Sequence, residues 1–178
     1  MKKLTTLLFL FVIGYLLTSC DNKLTLQSYL IESKEKKGFM NVDIPFNLIQ
    51  LKNQDITEDI IKTYESIKKV NISALPYVNN EISYEIEKKI LLEILNNSDN
   101  YKDLFRMDAK GMKMNIYCNG ESDLIKEVIV FGYSKQVGVG VARILGDNMN
   151  PNKIMQMIEY LEIDPKQFNL KQFNLSFN

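Results

Sequence analysis

From Tyr101 to Leu145 the apolar residues keep a period of two through four short runs, at about 101–107, 111–118, 125–133 and 136–145. Side chains along a strand alternate between faces, so this pattern fits strands and not an amphipathic helix. Ala109-Lys110-Gly111 and Asn119-Gly120-Glu121 are turn-forming spacers short enough for hairpins. Consecutive runs are therefore expected to pair antiparallel, as a meander.

The segments before and after the meander alternate between helix and strand. Leu24 to Lys37 reads as a short helix with Leu26, Tyr29 and Leu30 on one side, stopped by Gly38 in the left-handed region. Met40, Val42 and Ile44 alternate with polar residues as a first strand ended by Pro45, and Phe46 to Leu51 reads as a short helical turn. A helix over about 57–69 follows from the capping-box spacing of Asp55 and Glu58 and from Ile60, Tyr64 and Ile67 on one face. Val70, Ile72 and Ala74 predict a second strand, and Ile82, Ile86 and Ile90 mark a helix over about 81–95. Asn150-Pro151 has the form of an N-cap and first helical residue, opening a last helix with Ile154, Met157, Ile158 and Leu161 as its stripe. The expected class is α+β: a mostly antiparallel sheet of about five or six strands with helices packed on one face.

The 178 residues are 46% hydrophobic and 25% charged, the balance of an ordinary globular domain. Histidine is absent, which removes His-dependent triads, Cys-His dyads and His-ligated metals and leaves carboxylate, Lys, Tyr or lone-Ser chemistry. The 22 basic and 22 acidic side chains cancel and alternate in sign along stretches such as Glu32 to Lys37. Nucleic acid is excluded on this ground, because a phosphate-backbone binder needs clustered positive charge.

The N-terminus states an address. Lys2 and Lys3 precede an apolar run from Leu4 to Leu17 that suits a signal peptide and is too short for a good membrane span. Leu17-Thr18-Ser19-Cys20 resembles the lipobox of bacterial lipoproteins. The resemblance implies cleavage before Cys20, a diacylglycerol thioether on its sulfur and acylation of the new amino group, an anchor of several chains where one would be marginal. Asp21 resembles an inner-membrane retention signal of some enteric bacteria, and the choice between inner and outer membrane stays open. The expected organisation is a lipoprotein signal peptide at 1–19, an anchor and tether at 20–23, one domain at 24–162 and a tail at 163–178. In that tail Lys-Gln-Phe-Asn-Leu occurs at 166–170 and again at 171–175.

Few side chains offer themselves as a site. Cys118 alternates with Met112, Met114 and Ile116 and is expected as a core thiol. Gly138-Val139-Gly140 lacks the third small residue of a dinucleotide turn, since position 143 is Arg, and reads as a strand with one bulky and one small face. Asp147 to Asn152 fails calcium-loop spacing and reads as a turn with a helix cap. Arg106 and Arg143 are the only arginines. Arg143 shares a strand face with Val137, Val139 and Val141, so it is expected to meet a carboxylate or, less simply, to hold an anion or a partner's carboxylate, with Arg106 a second such candidate. Tyr117 and Tyr133 are expected half exposed on their strands as possible interface anchors. No metal site, cofactor or catalytic residue is expected.

Glu65-Ser66-Ile67-Lys68-Lys69-Val70, Glu127-Val128-Ile129-Val130-Phe131-Gly132 and Arg143 through Pro151 together resemble domain of unknown function 4252, a family of bacterial lipoproteins, over about residues 24–161. The resemblance implies a cell-envelope lipoprotein and supplies no activity. The functional expectation is a non-enzymatic protein or peptide interaction module held to the membrane through acylated Cys20, outside the cytoplasm. The alternative is a small-ligand binder or a hydrolase using Asp103, Asp108 or Asp123.

Overall fold

The structure is a computed structural model that describes residues 24–157 and 160–162, apart from 53–55, 110 and 122–124. Helix α1 (Leu26–Glu32) begins at Thr25, whose hydroxyl accepts from the Ser28 amide while the Ser28 side chain answers the Thr25 amide in a capping box. It is shorter than the sequence predicts, and the residues from Ser33 to Gly38 form turns ending on Gly38 at φ +85°. Strand β1 (Met40–Pro45) runs into a 3₁₀ turn at Phe46–Leu48 and a two-residue strand β2 (Gln50–Leu51). Helix α2 (Glu58–Ser66) is capped by Thr57, with Glu58 and Asp59 in its first turn where acidic groups suit the helix dipole. The capping role read for Asp55 lies outside the described residues.

Strand β3 (Ile67–Pro76) starts at the end of α2, so Ile67 belongs to the sheet and not to the helix the sequence predicts through 69. Helix α3 (Glu81–Asn96) leads to the meander β4 (Lys102–Ala109), β5 (Met112–Asn119), β6 (Ile125–Ser134) and β7 (Gly138–Met149). Asn150 Oδ1 accepts from the amides of Asn152 and Lys153 and opens α4 (Pro151–Met157), as its cap-like sequence suggests. Leu161 then lies in strand β8 (Leu161–Glu162), paired antiparallel with β2, where the sequence predicts the end of a helix. Ile158 and the repeated tail lie outside the described residues.

The main sheet has the order β1-β3-β7-β6-β5-β4, and every neighbouring pair is antiparallel. It is an α+β fold with four helices and a six-stranded open sheet, the class expected. The helices divide between the two faces. Register puts Ser73, Leu75, Tyr117, Ile129, Phe131, Val139 and Val141 on one face, hereafter face A, which α1 and α3 cover with Leu26, Tyr29, Leu30, Tyr84, Leu91, Ile94 and Leu95. Ile44, Ile116, Cys118, Val128 and Ile144 are on the opposite face B, under Ile60 of α2, Phe46 and Ile49, and Ile154 and Met157 of α4. The physical reason lies in the central strands. Ile129 and Phe131 of β6 alternate with Val128, so both faces of the strand are apolar and both must leave water.

The small face expected for β7 belongs to face B, where Gly140 packs against Ala74. A Cβ on Gly138 would stand 2.1 Å from the Leu75 carbonyl oxygen, and its φ of +139° suits glycine alone. Tyr117, expected half exposed, is 2% exposed, because α3 lies over it. Its hydroxyl donates to Asn96 Oδ1 at 3.2 Å and accepts from Asn115 Nδ2 at 3.3 Å. Tyr133 is half-buried, its ring 5.3 Å from that of Phe131. Among the described residues no helix is long and apolar enough to cross a membrane.

Phe131 has no exposure at all, so Phe131→Ala is expected to cost about 3–5 kcal/mol in urea unfolding. Val78→Ala, at a side chain left 65% exposed in the turn before α3, is expected to change stability by less than about 0.5 kcal/mol.

Candidate functional site

Where the start of α1 and the end of α3 meet the sheet on face A, the helices leave a cavity of about 530 Å³. Leu24 to Gln27 form one wall, Ile90, Glu93 and Ile94 of α3 with its C-cap Asn97 another, and Ser98 to Tyr101 a third. Asn119, Glu127 and Arg143 of β5, β6 and β7 line the sheet side. The volume is that of an ordinary small-ligand pocket.

Arg143 and Glu127 form the charged centre. Arg143 Nε donates to Glu127 Oε1 at 2.6 Å, and the side chains keep 18% and 7% of their exposure. Tyr101 donates its hydroxyl to the same oxygen at 3.1 Å, and Asn119 Nδ2 approaches Oε2 at 3.4 Å. Both carboxylate oxygens are therefore engaged, which meets the condition for burying a charge. Burial, reinforced by the neighbouring Glu127 carboxylate, pushes the Tyr101 hydroxyl far above its ordinary range, so it stays a neutral donor. The group is a satisfied structural pair on the wall of a cavity and is not poised for general acid or base work.

Of the sequence candidates, Arg143 sits at this cavity and meets a carboxylate, the simpler of its two expected roles. Arg106 is elsewhere. It projects from β4 on the same face, 63% exposed and paired with Asp103 through Nε at 2.7 Å. Three strand spacings separate β4 from β7, roughly 14 Å, and the two arginines do not form one anion site. Asp103 and Asp108 lie on β4 and do not line the cavity, and Asp123 and Cys20 lie outside the described residues. Cys118 is a free, buried thiol in the face B core, its pKa pushed up by burial. Asp147 pairs with Lys68.

Glu127, Tyr101 and Asn119 were not singled out in the sequence. A signal for Glu127 exists, since it shares parity with Ile129 and Phe131 and so had to point inward beside Arg143. Glu87 gave less warning. It is buried between α1 and α3, Lys36 Nζ reaches its Oε1 at 2.7 Å, and its Oε2 has no hydrogen-bond partner. The Lys36 ammonium also stands 5.3 Å from the centre of the Tyr29 ring. Among the described residues no group of three or more Asp, Glu or Cys side chains converges as a metal site.

A family model matches residues 31–157, which include α3, the α3–β4 connection and all three sheet residues of the cavity. The chain belongs to the DUF4252 family, a domain of unknown function. No curated protein and no solved structure matches this DUF4252 chain. The Leu24 to Gln27 wall precedes the DUF4252 match, so the cavity is closed by a segment outside it.

Breaking the pair from one side strands a buried carboxylate. Arg143→Met is expected to cost roughly 3 kcal/mol in urea unfolding, and adding Glu127→Gln should restore most of that, since the amide oxygen still accepts from Tyr101. Additive losses in the double variant would contradict the pairing.

Proposed function

We propose that this protein is a lipid-anchored, non-enzymatic interaction module of the cell envelope whose cavity receives a basic, partly apolar segment of a protein partner. The observation that carries the reading is the composition of the cavity. Among the described residues, Glu93, Asp99 and Glu127 line it against a single cation, Arg143, which Glu127 already neutralises, and Leu24, Leu26, Ile90 and Ile94 supply apolar wall. Excess carboxylate favours a Lys or Arg side chain over an anion. The anion role weighed for Arg143 loses support on the same ground, and Arg106 does not line this cavity.

The address rests on the lipobox-like Leu17 to Cys20. Three residues separate Cys20 from Leu24, four chain steps with a reach of at most about 14 Å. Acylation at Cys20 would therefore hold the cavity close to a membrane surface, where an envelope partner is met. The same cavity also suits a small amine-bearing ligand, which its volume favours. A hydrolase is supported less, because Asp103 is exposed and held by Arg106, and both oxygens of Glu127 are occupied.

The test is binding of two nine-residue peptides, one alternating Lys and Leu and one alternating Glu and Leu, followed by fluorescence anisotropy. The basic peptide is expected to bind and the acidic one not. Glu93→Gln and Asp99→Asn should each weaken binding about two- to fivefold, and added salt should weaken it further. Equal binding of both peptides, or indifference to both substitutions, would overturn the reading.

A further inference from the structure

Among the described residues, the helices cover face B at one end only. The row Ile44, Val70, Ile144, Val128 and Cys118 lies under α2 and α4, with four of the five residues buried. Four residues further along each strand, register aligns Met40, Ala74, Gly140, Gly132, Met114 and Met107 across all six strands, and none of these is buried. Small residues occupy the middle of the row and methionines its flanks, so the surface is a shallow apolar trough roughly 24 Å long. Phe105, 36% exposed, extends it on β4. Methionine walls adapt to aromatic occupants and make favourable sulfur–ring contacts.

The chain carries a complementary segment in the right place. Strand β8 pairs with β2, and Leu51 and Tyr160 pack on the face B core, so β8, the last described element, lies on the same side of the sheet as the trough. Sixteen residues follow, able to span up to about 50 Å. Each copy of Lys-Gln-Phe-Asn-Leu places Phe and Leu two apart, Phe168 with Leu170 and Phe173 with Leu175, but the five-residue offset turns the two pairs to opposite sides of an extended chain, and Phe177 continues the side of Phe173 and Leu175. The stretch 173–177 would be about 17 Å long when extended, enough to cover most of the trough. We infer that the C-terminal segment 163–178 is the occupant of this trough, laying Phe173, Leu175 and Phe177 on the methionine row.

The test is oxidation of the mature full-length protein by dilute hydrogen peroxide, read methionine by methionine with peptide mass spectrometry. Phe173→Ser and Phe177→Ser together should raise the oxidation rates of Met40, Met107 and Met114 roughly threefold or more. Met149 and Met157, at 2% and 0% exposure in the covered core, should stay slow in both proteins. Unchanged rates at the trough would overturn the proposal, as would protection in the unsubstituted protein that disappears on dilution, which would make a second copy the occupant. If every methionine accelerates, the variant has unfolded, and a photocrosslinker at position 173 in the otherwise unsubstituted chain decides. p-Benzoylphenylalanine there is expected to link within the chain to β4 or β5, and links elsewhere or between chains would refute the assignment.

Discussion

Strands β6 and β7 are apolar on both faces, and the other elements are arranged to keep both faces from water. Ile129, Phe131, Val139 and Val141 point one way, and Val128 and Ile144 the other. One helical layer cannot cover both. The short helices α1 and α2 gain their stability from this packing, since seven and nine residues are too few to be helical alone in water. A buried hydroxyl chain fixes the edge of the first layer: Ser73 donates to Ser33, and Ser33 to Asn41, tying the end of α1 to β3 and β1.

Charge enters this arrangement only under strict conditions. Arg143 and Glu127 face inward with the apolar residues of their strands, and they are tolerated because they meet each other, with Tyr101 and Asn119 meeting the remaining acceptor positions. The helices separate at this place, and the cavity between them keeps the pair at the margin of the core. Glu87 is less completely satisfied. Its ion-pair partner Lys36 comes from the turns after α1, so the same contact that offsets the buried charge also fastens that segment to α3.

Much of this order was legible in local sequence pattern. The meander followed from alternation and short spacers, the last helix from Asn150-Pro151, and the inward setting of Arg143 from its place in the Val139 and Val141 series. The two-sided packing was not read, although Ile129 and Phe131 alternating with Val128 and Val130 carry it, because alternation within one strand does not say which other segments arrive to cover each face. The burial of Tyr117 was lost for the same reason. Ile67 continues the helical stripe of Ile60 and Tyr64 in sequence, whereas in the fold sheet pairing opposite Gly146 claims it. The cavity was invisible in sequence, since its walls come from segments as far apart as residues 24 and 143 and depend on where α1 and α3 part.

The central functional claim is that this DUF4252 chain works as a binding module held at a membrane by Cys20. Intact mass and membrane fractionation of the native protein beside Cys20→Ser test it most directly. The account predicts a wild-type chain that begins at Cys20, carries acyl mass and pellets with membranes, and a substituted chain without acyl mass that stays soluble. Two soluble, unmodified proteins would contradict it.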